Sequence, residues 1–113
     1  MRPLHRSSKA IDDINACLEW SLDKFGRLAT ERYAELLSVS LEEICNDPFT
    51  IGSEPFPEMG EIRLIHTKHF RKLAPVEGLI VKNPRHFLVY QELDNKIFLV
   101  RILHDNMELE EHV

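Results

Sequence analysis

KAIDDINACLEWSLDKFG, residues 9–26, followed without interruption by RLATERYAELLSVSLEEICNDP, residues 27–48, is the stretch whose reading decides the fold. Ile11, Ile14, Leu18, Leu22 and Phe25 recur at steps of three and four, the spacing of one apolar face of a helix. Ser7 or Ser8 is available as its N-cap, and Asp12 and Asp13 sit near the positive end of the helix dipole. Gly26 is a C-terminal glycine that ends the run. A second face follows at Ala29, Tyr33, Leu36, Leu37, Ser40 and Ile44, closed by Asn46-Asp47-Pro48 because proline cannot continue the hydrogen-bond ladder. Two apolar stripes joined by one or two residues predict an antiparallel helical hairpin.

Beyond residue 60 the periodicity changes. Residues 48–60, PFTIGSEPFPEMG, hold three prolines and two glycines and read as a loop crossing from helices to sheet. Glu61–His66, His86–Glu92 and Lys96–Leu103 are rich in Ile, Leu, Val, Phe and Tyr and read as strands. Between the last two, Asp94-Asn95 can supply the positive φ angles of a tight turn, which predicts a β-hairpin. Its second strand, IFLVRIL, is apolar on both faces except at Arg101, as expected of a central strand covered on both sides. Pro3–Ser7 reads as a short edge strand, whereas Thr67–Lys82, with Pro75, Gly78 and a GLIV run, reads equally as a strand or a buried loop. The expectation is therefore an α+β fold: an N-terminal edge strand and a two-helix hairpin packed on a three- to four-stranded antiparallel sheet.

With 113 residues, 43% of them hydrophobic, the chain has the size of a single domain over residues 1–113 that buries its core without metal or disulfide. The opening MRPLHRSSKA has no apolar signal region and no stretch has the length of a membrane span, so a cytoplasmic protein is expected. Cys17 and Cys45 fall on or beside the helical stripes and read as reduced, buried thiols. The net charge of -5 weighs against a chain whose main task is gripping a phosphate backbone. Charge is unevenly spread, however: Arg63, Lys68, Arg71, Lys72, Lys82 and Arg85 crowd one segment.

In four places the sequence resembles the ParE/RelE superfamily of toxins from bacterial type II toxin–antitoxin pairs. KAIDDINACLEWSLDKFG is similar to the ParE opening, with an alanine and an acidic pair before an aliphatic stripe and an aromatic-glycine turn. ATERYAELL is similar at Ala29, Tyr33 and Leu36, and HFLVYQE resembles the family's aliphatic strand ending in tyrosine. VRILHDNMELEEHV resembles its closing strand and tail through Arg101, Leu103, His104 and Met107. Two departures are a longer segment over 66–85 and a more acidic balance than a ribosome-acting relative would carry.

The resemblance implies a RelE/ParE-like fold and a toxin of the ParE branch. Members of that branch are not nucleases: they engage DNA gyrase by binding and are neutralised by a cognate antitoxin, without cofactor, as homodimers or as heterotetramers with the antitoxin. Two alternatives follow from the same resemblance: a ribosome-dependent messenger RNA endonuclease of the RelE type, or a non-toxic member that only binds antitoxin. A nuclease needs an acid, a base and cations on the phosphate, for which the candidates are Arg63, Arg85, Tyr90, Arg101 and His104. For antitoxin or target binding the candidates are Trp20, Tyr90, Arg101, His104 and Met107.

Each has a structural reading beside the functional one. Arg101 in an apolar strand is explained equally by an ion pair to a helix acid such as Asp12 or Glu19. Trp20 lies off the first helix stripe, and packing between the helices is favoured over an exposed anchor. His66 and His69 have metal-ligand spacing only if helical and lack a third ligand, so no metal is expected. A partner is expected on the helical hairpin, the last strand and the tail from Asp105 to Val113.

Overall fold

A computed structural model describes residues 1–56 and 58–112. Pro57, read as part of the crossing loop, and Val113, the end of the tail, lie outside the described residues. The elements in chain order are β1 (Leu4–Arg6), α1 (Ser8–Phe25), α2 (Arg27–Asn46), β2 (Glu54–Pro55), β3 (Ile62–His66), β4 (His86–Leu93) and β5 (Lys96–His104). Two 3₁₀ turns, Thr67–Leu73 and Leu109–Glu111, follow β3 and β5.

The helical hairpin forms as its capping chemistry dictates. Ser7 Oγ accepts the Ala10 N–H at 2.9 Å and closes the start of α1. Gly26, at φ 85, ends α1 with its N–H on Leu22 O and begins α2 in the same residue, so the chain reverses across one position that a Cβ would strain.

The buried face of α1 differs from the expected one. Ala10, Cys17 and Ser21 are buried, with Ile14 and Leu18 packed beside them, while Ile11, Leu22 and Phe25 stay exposed. Small residues let α1 approach closely, and Thr30 Oγ1 donates to Ser21 Oγ at 3.1 Å across the hairpin. A search for bulky apolar side chains finds the neighbouring stripe instead. On α2 the reading holds: Leu36, Leu37, Ser40 and Ile44 are buried, joined by Leu41 and Cys45. Cys17 and Cys45 are free and buried, and burial pushes the Cys17 thiol up to about 11.

The sheet has five strands in the order β1-β5-β4-β3-β2. β1 pairs parallel with β5, and the other pairings are antiparallel. Asp94 and Asn95 both take positive φ, 53° and 60°, as the β4–β5 turn requires. β2 was not foreseen within residues 48–60, since two residues ending in a proline give no alternating pattern and proline is tolerated only at such an edge. The segment 67–82 contains a 3₁₀ turn and a Val76–Leu79 bridge rather than a further strand.

The helices cover one sheet face through Leu88, Tyr90, Ile97, Leu99 and Ile102. The opposite face carries Val89, Leu103, Val100, Ile62 and Leu64 under Phe56, Met59 and Leu109. A bulge between Val89 and Tyr90 shifts the register to β5. Past the bulge, Arg101 donates from Nε and Nη2 to Asp13 at 2.8 and 2.9 Å, and Ile102 N–H donates to the same carboxylate at 2.9 Å. The pairing acid is therefore Asp13 rather than Asp12 or Glu19. It replaces the partner that β5 loses where β1 ends. Asp13→Ala leaves that N–H and guanidinium without it and is expected to lower unfolding free energy by about 2 kcal/mol, measured by urea denaturation; an unchanged midpoint would show the pair to be incidental.

Candidate functional site

At one end of the sheet, the end of α1, the start of α2, residues 79–83 and the facing ends of β4 and β5 enclose a groove of about 750 Å³. Its wall is apolar, formed by Trp20, Phe25, Leu79, Ile80 and Val81, with Arg32, Lys82 and Arg85 beside it. Among the described residues no acidic side chain lines it, in a chain whose net charge is -5. Trp20 is 50% exposed and stands edge-on to Phe25, 64% exposed, at a ring separation of 5.4 Å. The packing expected of Trp20 between the helices is corrected: the small-residue stripe of α1 takes that interface and turns the indole outward.

The groove floor is a hydrogen-bonded pair. Arg85 N–H donates to Tyr33 Oη at 3.0 Å, and Tyr33 Oη shares a hydrogen bond with His86 Nδ1 at 2.5 Å. The imidazole is neutral near pH 7. Burial, and after it the neighbouring His104, pushes His86 down to about 4, and burial pushes Tyr33 up to about 12. Both values lie far from neutrality, where general acid–base catalysis works best.

Behind the floor, Asp105 ties three segments together. It accepts from Arg85 Nη2 at 2.8 Å and from His66 Nε2 at 3.0 Å, while His66 Nδ1 accepts the Lys68 N–H at 3.0 Å. The Arg85 hydrogen bonds, assisted by His66, hold the Asp105 carboxyl down at about 2. His104 Nδ1 lies 3.6 Å from the carboxylate, too far for a hydrogen bond, and accepts the Asn106 N–H at 3.2 Å instead.

The residues singled out in the sequence separate into distinct places. Arg85 and His104 meet at Asp105 and the groove. Arg63 and Tyr90 share Ser53: Arg63 Nε donates to Ser53 Oγ at 2.9 Å, and Tyr90 Oη lies 2.5 Å from the same oxygen. Arg101 is engaged with Asp13 and, through Nη1, with His112 O at 2.7 Å. Tyr90 is 0% exposed and packs in the main core, which corrects its reading as a surface contact. Met107 is 42% exposed, with its N–H on His104 O.

Tyr33, His86 and Asp105 complete the site and were not singled out as binding or catalytic candidates, and His66, which joins them, was weighed only as a metal ligand. A charged residue just after a central strand, at Asp105, was the one local signal. His66 and His69 diverge, His66 to Asp105 and His69 against Gly52, where a Cβ would stand 2.6 Å from the imidazole. Among the described residues no cluster of three His, Cys, Asp or Glu side chains has metal-binding geometry. No helix of the described residues is long and apolar enough to cross a membrane.

No protein-family model matches the sequence, and no curated protein matches it. The fold is similar to that of a solved chain described as "Chromosomal ParDE TA system from P. aeruginosa", with a TM-score of 0.68. The match covers 92% of this chain and 96% of that one at 12% sequence identity. The α+β architecture is thus RelE/ParE-like, as the resemblance implied.

Proposed function

We propose that this chain is the toxin of a type II toxin–antitoxin pair, that it acts by binding DNA gyrase, and that a cognate antitoxin neutralises it. The groove carries this reading: exposed Trp20 and Phe25, with Leu79, form an apolar seat beside Arg32, Lys82 and Arg85, and among the described residues no acid lines it. A protein surface with aromatic anchors and cations is suited to recognising another protein. Likeness to a chain of a toxin–antitoxin system supports the assignment to that class. The scattering of the candidate nuclease residues over three sites favours binding over RNA cleavage.

Purified chain added to a gyrase supercoiling reaction is expected to accumulate cleaved plasmid and to slow supercoiling. Normal supercoiling at a molar excess of chain would overturn the gyrase target. For the antitoxin, Trp20→Ala with Phe25→Ala is expected to weaken binding about tenfold to a hundredfold while leaving the melting temperature nearly unchanged, as read by calorimetric titration and thermal denaturation. Undiminished affinity would remove the groove from that interface. A tail deletion should begin at Met107, because removing Asp105 strips Arg85 and His66 of their shared acceptor.

A further inference from the structure

The segment 66–85, longer than the superfamily resemblance leads one to expect, builds a second cleft of about 830 Å³ next to the groove. Lys68, Arg71, Lys82 and Arg85 line it, with His66 and His69, and Asp105 is the one acidic side chain lining it among the described residues. That acid is already occupied by Arg85 and His66. Lys68 and Lys82 are exposed, and among the described residues neither ammonium makes a hydrogen bond or ion pair. Arg71 Nη1 donates to Lys82 O at 2.7 Å, which fixes the guanidinium between the 3₁₀ turn and the following loop while its other N–H groups remain. Gathering like charges in one cleft of an acidic chain is unfavourable until an anion enters. A fixed planar guanidinium flanked by two exposed ammonium groups is the donor set that suits tetrahedral oxyanions.

We propose that this cleft binds a phosphate group, either of a nucleic-acid backbone or of a free phosphate or nucleotide. The phosphate oxygens accept from Arg71 and the two lysines, and Asp105 stays on Arg85 so that it does not repel the anion. The local field has a second signature. His69 is held below its ordinary value by burial first and then by Lys68 and His66. An anion in the cleft offsets the repulsive part of that and raises the value. The proposal stands apart from the gyrase reading, because phosphate binding is measured on the chain alone.

The test titrates the full chain with inorganic phosphate, with AMP and with a short fluorescein-labelled single-stranded DNA, following anisotropy and the ring-proton NMR signals of His69. Saturable binding is expected, with His69 titrating at higher pH in the bound state. Lys68→Glu with Lys82→Glu should weaken it about tenfold or more, the lower bound being the loss of a single one of the two charge-assisted hydrogen bonds removed. Lys24→Glu, on α1 and outside the cleft, should leave it unchanged. Tighter binding of DNA than of AMP identifies a backbone site; equal binding identifies a free phosphate or nucleotide site. Equal loss in the Lys24 variant, no loss in the double variant, or tighter binding of polyglutamate than of any phosphate probe would overturn the proposal.

Discussion

Tyr90→Ala is expected to lower unfolding free energy by about 3–5 kcal/mol, the range for emptying a buried aromatic position, whereas Tyr90→Phe should lose about 1–3 kcal/mol and keep full biological activity. Tyr90 is fully buried, and its Oη donates to Pro48 O at 2.5 Å while meeting Ser53 Oγ at the same distance. Ser53 in turn receives Arg63 Nε, and the Arg63 guanidinium lies over Phe49 with its carbon 4.9 Å from the ring centroid. The phenol thus anchors the loop after α2 to the sheet. Phenylalanine keeps the ring and leaves Pro48 O with Ser53 Oγ, at 3.1 Å, as its remaining donor. Urea denaturation and growth arrest measured on the same variants separate the two roles. A Tyr90→Phe chain that is stable and non-toxic would restore Tyr90 to the catalytic set of a nuclease.

The second large effect is pH dependence. His86 is buried with its pKa pushed down to about 4, so the unfolded chain binds a proton that the folded chain refuses between about pH 6.5 and pH 4. Stability contributed by this group is complete above pH 6.5, falls as pH drops through that window, and levels off below it. The expected loss is about 3 kcal/mol between pH 7 and pH 4. Tyr33 from α2, His66 from β3, His104 and Asp105 from the end of β5, and Asp13 from α1 set the surrounding charge. Asp105 adds a separate loss at lower pH, because a carboxyl held at about 2 contributes stability that disappears as pH falls from about 4 towards 2. His86→Asn retains a hydrogen-bonding partner for the Tyr33 hydroxyl and should flatten the upper window but leave the lower one. Identical slopes for both chains would assign the effect to other groups.

Local physics explains which features could be read from the sequence. The helical hairpin was legible because Gly26 and the α2 stripe are strong short-range signals, and the β4–β5 hairpin because Asp94-Asn95 sits between two apolar runs. The true face of α1 was hidden, since Ala10, Cys17 and Ser21 bury little area each and Ile11, Leu22 and Phe25 dominate any apolar count. β1 was expected as an edge strand, but its parallel partner, β5, lies at the other end of the chain. The site was least legible. Tyr33, His66, His86 and Asp105 come from four separate segments, and Arg101 meets Asp13 across 88 positions. No spacing rule carries such contacts. Choosing among several helix acids for Arg101 needed the bulge in β5, which the sequence does not announce.

The central claim is that this chain acts by binding and not by cutting RNA. It is tested most directly by inducing the chain alone in a bacterial host and following growth, chromosome breakage and messenger RNA integrity in the same culture. Growth arrest with gyrase-dependent DNA breaks and intact messages is the expected result. Arrest with cleaved messages and an unbroken chromosome would contradict it, and unhindered growth would leave a chain that binds its partner without being a toxin.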